Sequence, residues 1–242
     1  MKAIETRGLT KKYKTLTAVD GVDLQIESGE LFALLGVNGA GKTTLVKMLC
    51  GLTQPTSGDG FIGGHSIVHE SGAVKKLIAV SPQETAVAPN LSVYENLQFI
   101  CGIYGFSKQK QAKKIAEISA QFRLEEILKR KAGKLSGGWQ RRLSIAMALI
   151  SEPSVLFLDE PTLGLDVLAR ADLWDIIRAL KGHVTIVLTT HYMEEAEALS
   201  DRVAIMKDGK LLVCDTADGI KQTAGVDDFE QAFSRIVREV AK

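Results

Sequence analysis

The chain has 242 residues, a length at which one compact unit, or one core carrying a smaller lobe, can bury its own hydrophobic interior. Thirty basic against twenty-nine acidic side chains leave a formal charge of +1, which gives no broad electrostatic reason to expect nucleic acid or a strongly acidic partner. Cys50, Cys101 and Cys214 are scattered, form no CxxC pair and argue against a disulfide framework or a zinc site, so they read as reduced thiols of a cytosolic protein.

The opening "MKAIETRGLTKKYK" has basic residues but no apolar segment after them, so no secretory signal is expected. Nowhere does the chain approach the ~18 consecutive apolar residues of a spanning helix. Two β-like runs follow, from Ala3 and from Ala18, the second with Val19, Val22, Leu24 and Ile26 partly alternating with polar residues. "GELFALLG" is a short apolar run stopped by glycine, the appearance of a strand buried on both faces. The next segment predicts a helix with Leu45, Met48, Leu49 and Leu52 at three and four spacing.

From about Ser81 the texture changes. Ser92 stands three residues before Glu95, a capping box, and Val93, Leu97 and Ile100 share a helical face. "KQKQAKKIAEISAQF" places Ile115, Ile118 and Phe122 on one face. Residues 84–135 contain no convincing strand and read as a helical lobe inserted into an α/β core made of 1–83 and 136–216. After the lobe come a buried strand ending in two acids, a helix with Leu173, Trp174, Ile177 and Leu180 inward, and another buried strand, "VTIVLTTH". Two β runs joined by Lys207, Asp208 and Gly209 give a hairpin signal. The tail, 217–242, carries Phe229, Phe233, Ile236 and Val240 on one helical stripe. Strands alternating with helices predict a mostly parallel sheet with ligands at the carboxyl ends of its strands.

"GVNGAGKTT", Gly36 to Thr44, satisfies GxxxxGK[ST] between a strand and a helix, the context that this phosphate-loop pattern requires. A triphosphate is densely anionic. The backbone N–H groups of Gly36, Asn38, Gly39, Ala40, Gly41 and Thr44 can approach it closely, and the following helix directs its positive dipole end at the charge. Lys42 is placed to reach the β and γ phosphates, and the Thr43 hydroxyl to ligate Mg²⁺. In "VLFLDE" Asp159 emerges at the end of a buried strand, where it can hold the hydration shell of Mg²⁺. The adjacent Glu160 is suited to polarise a water for in-line attack on the γ phosphorus, so hydrolysis is expected as well as binding.

"LSGGWQRR" poses a separate question. Ser136 stands where a helix N-cap belongs, and Gly137 and Gly138 leave the first N–H groups unobstructed, which makes a second anion site in a chain with one triphosphate loop. At these residues the chain resembles, over nearly its whole length, the nucleotide-binding subunit of ATP-binding cassette (ABC) transporters. The resemblance implies a P-loop NTPase core with an N-terminal antiparallel β part, and a dimer in which the signature of one subunit closes over ATP held by the phosphate loop of the other. It further implies that Tyr13 stacks on adenine, that Gln83 senses the metal and γ phosphate, and that Gly164 to Asp166 form the loop crossing between subunits. His191 matches the switch histidine that contacts the γ phosphate. Trp139 departs from the family, which usually has glutamine there, and is expected to pack at the dimer seam.

"LSGGWQRRLSIAMAL", "DEPTLGLD" and "TTHYMEEAE" look most like the ATPase subunits of drug and lipid exporters, including daunorubicin-type resistance pumps. The implied partners are a second ATPase subunit and transmembrane permease subunits, with the chain held at the cytoplasmic face of the inner membrane. The alternative is a soluble cassette ATPase of the scaffold or DNA-maintenance kind. Against the DNA-maintenance form stand the missing coiled-coil heptads and the near-zero charge.

Overall fold

A computed structural model of the chain describes residues 1–239; Val240, the last member of the expected tail stripe, lies outside the described residues. In chain order the elements begin with β1 (Lys2–Tyr13), β2 (Leu16–Glu27), β3 (Leu31–Leu35), α1 (Lys42–Leu49), β4 (Ser57–Ile62), β5 (His65–Ser66), α2 (Ser71–Leu77) and β6 (Ile78–Ser81). There follow α3 (Val93–Ile103), α4 (Lys108–Gln121), two short 3₁₀ turns, and α5 (Gly137–Leu149). The remainder alternates: β7 (Val155–Asp159), α6 (Val167–Leu180), β8 (Thr185–Thr190), α7 (Met193–Leu199), β9 (Arg202–Lys207), β10 (Lys210–Asp215), then α8 (Ala217–Ala224) and α9 (Phe229–Glu239).

Two sheets form. The first is antiparallel, in the order β2-β1-β4-β5, and the second runs β10-β9-β3-β8-β7-β6 with every neighbouring pair parallel except β10 with β9. The all-apolar β3 lies between β8 and β9, and its side chains divide between separate cores as a strand covered on both faces requires. Phe32 and Leu34 join a core with Ile4, Ile26, Met48 and Phe157, which ties both sheets to α1. Leu31 belongs to the core containing α5 and α6, and Ala33 and Leu35 to the one under α8 and α9. Phe229, Phe233 and Ile236 are buried there, as the tail stripe predicts.

The lobe has no core of its own. Val93, Leu97, Ile115 and Phe122 pack in the same cluster as Leu143, Leu173 and Leu188. The Ser92–Glu95 capping box is present at the start of α3, with both reciprocal bonds made. Leu52 corrects the expected helix: α1 ends at Leu49, Gly51 takes φ 67, and Leu52 is 68% exposed beyond it. The Lys207–Gly209 hairpin forms with positive φ at Asp208 (49°) and Gly209 (79°), the backbone that matches the twist of two paired strands. No described helix is long and apolar enough to cross a membrane.

Parallel pairing determines what meets at the carboxyl ends. Leu35, the last residue of β3, is in register with Thr190, and Asp159, the last of β7, with Thr189. The loop after β3, the acids after β7 and the histidine after β8 therefore emerge side by side.

Candidate functional site

Gly36 to Gly41 bridge β3 and α1. Gly41 holds φ 102°, and a Cβ there would collide with the carbonyl oxygen of Ala18, so glycine is required. The loop is braced from outside: Gly209 of the β9–β10 turn donates its N–H to the Ala40 carbonyl at 3.1 Å. Lys42 is buried, and its Nζ donates to the Gly36 carbonyl at 2.6 Å and to the Val37 carbonyl at 3.4 Å. Burial lowers the Lys42 pKa, while the carboxylates of Glu160 and Asp159 act in the opposite direction.

This loop forms one wall of a cavity of about 600 Å³. Asn38, Gly39, Ala40, Gly41, Lys42, Thr43 and Thr44 line it, and Gln83, Glu160 and His191 face them. Leu16, Thr17, Ala18, Leu163 and Asp208 complete the lining. Gly36 contributes its carbonyl to Lys42 but is not part of the wall. Tyr13 is also outside it, half-exposed at the end of β1, paired in register with Leu16 and with Lys11 Nζ 5.0 Å from its ring centroid.

Glu160 has φ 49°, a left-handed conformation that costs a non-glycine residue on the order of 1–3 kcal/mol. Thr189 holds it there. The Glu160 N–H donates to the Thr189 carbonyl and to its hydroxyl, both at 3.1 Å, and the same hydroxyl donates to Asp159 Oδ1. In this pose Glu160 Oε2 lies 2.5 Å from His191 Nδ1. A carboxylate only accepts, so Nδ1 carries the proton and Nε2 is left unengaged by Glu160. Asp159 sits behind the cavity wall rather than in it.

Gln83 is positioned by a residue that no sequence motif singles out. Arg141, buried on α5, donates Nη1 to the Pro82 carbonyl at 2.5 Å and Nη2 to the Gln83 carbonyl. Ser144 of α5 meets Ser81 at 3.1 Å, so the helix behind the signature grips the end of β6 twice. Glu195 is a second unforeseen group. Fully buried on α7, its Oε1 accepts from Thr162 Oγ1 (2.8 Å) and Trp174 Nε1 (3.1 Å), while Oε2 has no partner among the described residues. Desolvation raises its pKa above the ordinary carboxylate value. Nothing in "MEEAE" distinguishes it from its exposed neighbour Glu194 except the helical spacing.

Ser136 takes the extended N-cap conformation before α5, but its hydroxyl makes no capping bond, and neither it nor Gly137 nor Gly138 reaches the cavity wall. Trp139 is half-buried within its own chain. Arg142 lies over its ring, 4.5 Å from the centroid, and is itself held by Asp172 at 2.6 Å. Asp166 caps α6 by accepting from the Ala169 N–H at 2.9 Å. The structure thus brings the phosphate loop, Gln83, Glu160 and His191 together, and leaves the Ser136 and Asp166 segments elsewhere on the surface.

The family model described as ABC transporter matches residues 19–163. The doxorubicin resistance ATP-binding protein DrrA of Mycobacterium tuberculosis is 39% identical over 241 residues, covering 98% of this chain and 72% of that protein. The probable multidrug ABC transporter ATP-binding protein YbhF of Escherichia coli is 39% identical over 243 residues, and the chain spans only 42% of its length. Among solved structures, the ATP-binding cassette MJ0796, in a dimeric post-hydrolysis state bound to ADP and phosphate, superposes with a TM-score of 0.77. It is 26% identical and matches 88% of this chain and 98% of its own.

Proposed function

The chain belongs to the ATP-binding family of ABC transporters, and from that premise we propose that it is the ATP-hydrolysing motor subunit of an exporter of drug- or lipid-like molecules. The observation that carries this reading is the shared cavity, where a phosphate loop, a carboxylate and a histidine converge and the last two touch at 2.5 Å. Its volume lies in the range of small-molecule sites. ATP binds with its phosphates on the N–H groups of Asn38 to Thr44. Lys42 releases the Gly36 and Val37 carbonyls to meet the β and γ phosphates. Glu160 accepts a proton from the attacking water, and the orientation of its carboxylate is kept by His191. Tyr13 stacks on the base from its exposed position beside Leu16.

The site suits Mg²⁺ better than an ion that needs an all-protein cage. Thr43 and Gln83 offer oxygen atoms on the cavity wall and Asp159 a carboxylate behind it, and no described group of three or more His, Cys, Asp or Glu could hold a metal alone. One carboxylate, a hydroxyl, water and substrate phosphates are the habitual Mg²⁺ set. When bound, Mg²⁺ supplies neutralisation of charge on the β and γ oxygens.

The separation of Ser136 to Gly138 from the cavity supports a sandwich dimer, since those N–H groups are then available to ATP held by a partner. Trp139 and Asp166 lie at the seam of that dimer. A groove of about 330 Å³, between β6, α3 and α5 and lined by Ile78, Val80, Ile100, Ile103, Tyr104 and Met147, suits a short cytoplasmic helix of a permease subunit. Ile103 of that lining and the nearby Phe99 are exposed apolar residues. The subunit is then peripheral, on the cytoplasmic face of the inner membrane. The test is copurification: the tagged chain, expressed with its genomic neighbours and gently solubilised, should carry a stoichiometric polytopic membrane protein. ATPase activity without any such partner would favour a soluble cassette ATPase.

A further inference from the structure

His191 is held by more than Glu160. The ring of the next residue, Tyr192, lies with its centroid 4.2 Å from that of His191 at an interplanar angle of 39°. Successive side chains on a strand point to opposite faces, so this proximity requires the chain to leave β8. It does so at this step: the Tyr192 N–H turns back to Thr190 Oγ1 at 3.0 Å, and Tyr192 becomes the residue before α7. A single hydrogen bond at Nδ1 leaves the imidazole broad torsional freedom, and a ring packed against it removes much of that freedom.

Tyr192 is held in turn. The guanidinium of Arg170 lies 4.9 Å from its ring centroid, within cation–π range. Arg170 Nε is buried and has no hydrogen-bond partner among the described residues, so this end of the guanidinium is placed by packing rather than by a hydrogen bond of its own. Arg170 stands on the first turn of α6, where its N–H donates to the Asp166 carbonyl at 2.9 Å. A contact series therefore runs from the Asp166 cap through Arg170, Tyr192 and His191 to Glu160.

We propose that Arg170 and Tyr192 are positioning residues for ATP hydrolysis: they fix the His191 ring against Glu160 and tie that contact to the loop that ends at Asp166. The proposal rests on the reading of Glu160 and His191 as the hydrolytic pair. When a partner subunit displaces the Asp166 loop, α6 carries Arg170 with it and the orientation of His191 changes. Neither residue lines the cavity.

The test uses the full chain and steady-state phosphate release with MgATP. Tyr192→Ala and Arg170→Met should each lower kcat about tenfold at unchanged KM, a loss in keeping with a misplacement of under 1 Å. Tyr192→Phe keeps the ring and should restore most of the rate, and the double variant should be no slower than the slower single one. A readout independent of turnover is the Cε1 proton of His191, one of four histidines in the chain, assigned with His191→Ala. Ring current displaces it in the parent chain and in Tyr192→Phe, and it should return to an ordinary position in Tyr192→Ala. Parent-like kcat in Tyr192→Ala, equal losses for phenylalanine and alanine, or losses that multiply in the double variant would overturn the proposal. Should Tyr192→Ala fail to fold, Arg170→Met decides by the same two measurements. A parent chain without ATPase activity removes the underlying reading and the proposal with it; an active parent with an unaffected Tyr192→Ala variant removes the proposal alone.

Discussion

Glu160→Gln separates binding from chemistry more cleanly than any other change in this chain. The amide has the size of the carboxylate, and its carbonyl oxygen still accepts the His191 Nδ1–H that now lies 2.5 Å from Oε2. Neither side chain is glycine, so the strain of φ 49° at this position is unaltered, and Thr189 still holds the backbone N–H. What disappears is the proposed proton acceptor. General-base assistance contributes roughly 10²–10⁴ in rate, or about 2.7–5.4 kcal/mol of barrier. The variant should therefore hydrolyse ATP at least about a hundredfold more slowly while its affinity for MgATP stays within about threefold of the parent, because the phosphate contacts proposed for Asn38 to Thr44 are untouched. Slow hydrolysis lets the ATP-bound form accumulate, so light scattering at high protein concentration should report a dimer with MgATP and a monomer without it. Turnover within tenfold of the parent would remove Glu160 from its role. A strict monomer at saturating MgATP would refute the sandwich, even with hydrolysis abolished.

Lys42→Ala removes the buried ammonium from the cavity wall and should weaken MgATP binding by at least about tenfold in equilibrium titration, with no detectable turnover. Gly41→Ala places a Cβ against the Ala18 carbonyl at φ 102°, and should abolish nucleotide binding while the far-UV circular dichroism of the rest of the chain persists. Arg141→Leu leaves the Pro82 and Gln83 carbonyls without their donors, a loss of about 1–3 kcal/mol in denaturant unfolding, with kcat falling further as Gln83 loses its position. Glu195 has a folded pKa raised above 4.5 by burial, so its contribution to stability is complete below that value and is lost as pH rises through the folded pKa. Relative to Glu195→Gln, the thermal midpoint of the parent should fall progressively from pH 4.5 towards neutrality, and parallel midpoint curves would refute the shift.

The residues that sequence reveals at this site are those whose chemistry is complete within a few positions. A phosphate loop is a single contiguous turn between a strand and a helix, so Gly36 to Thr44 declare the site without knowledge of the fold, and Asp159 and Glu160 follow from a buried strand ending in acids. Parallel pairing then needs only the strand order to bring His191 alongside them, through the Leu35–Thr190 and Asp159–Thr189 registers. The residues that remained hidden act across the chain. Arg141 meets Pro82 and Gln83 from nearly sixty positions away, and Glu195 gathers Thr162 from the turn after β7 and Trp174 from α6. Strands β4 and β6 are hidden for a related reason: "SGDGFI" and "IAVS" are short and carry no clear period, and it is pairing with β1 and β7 that makes them strands. Trp139 is the intermediate case. Its departure from the signature is plain in the sequence, but its packing beneath Arg142, held by Asp172 one helix away, is not. An indole already engaged within its own chain keeps its position before any partner arrives, so a dimer seam that includes Trp139 would meet a preformed surface at the cost of little side-chain entropy.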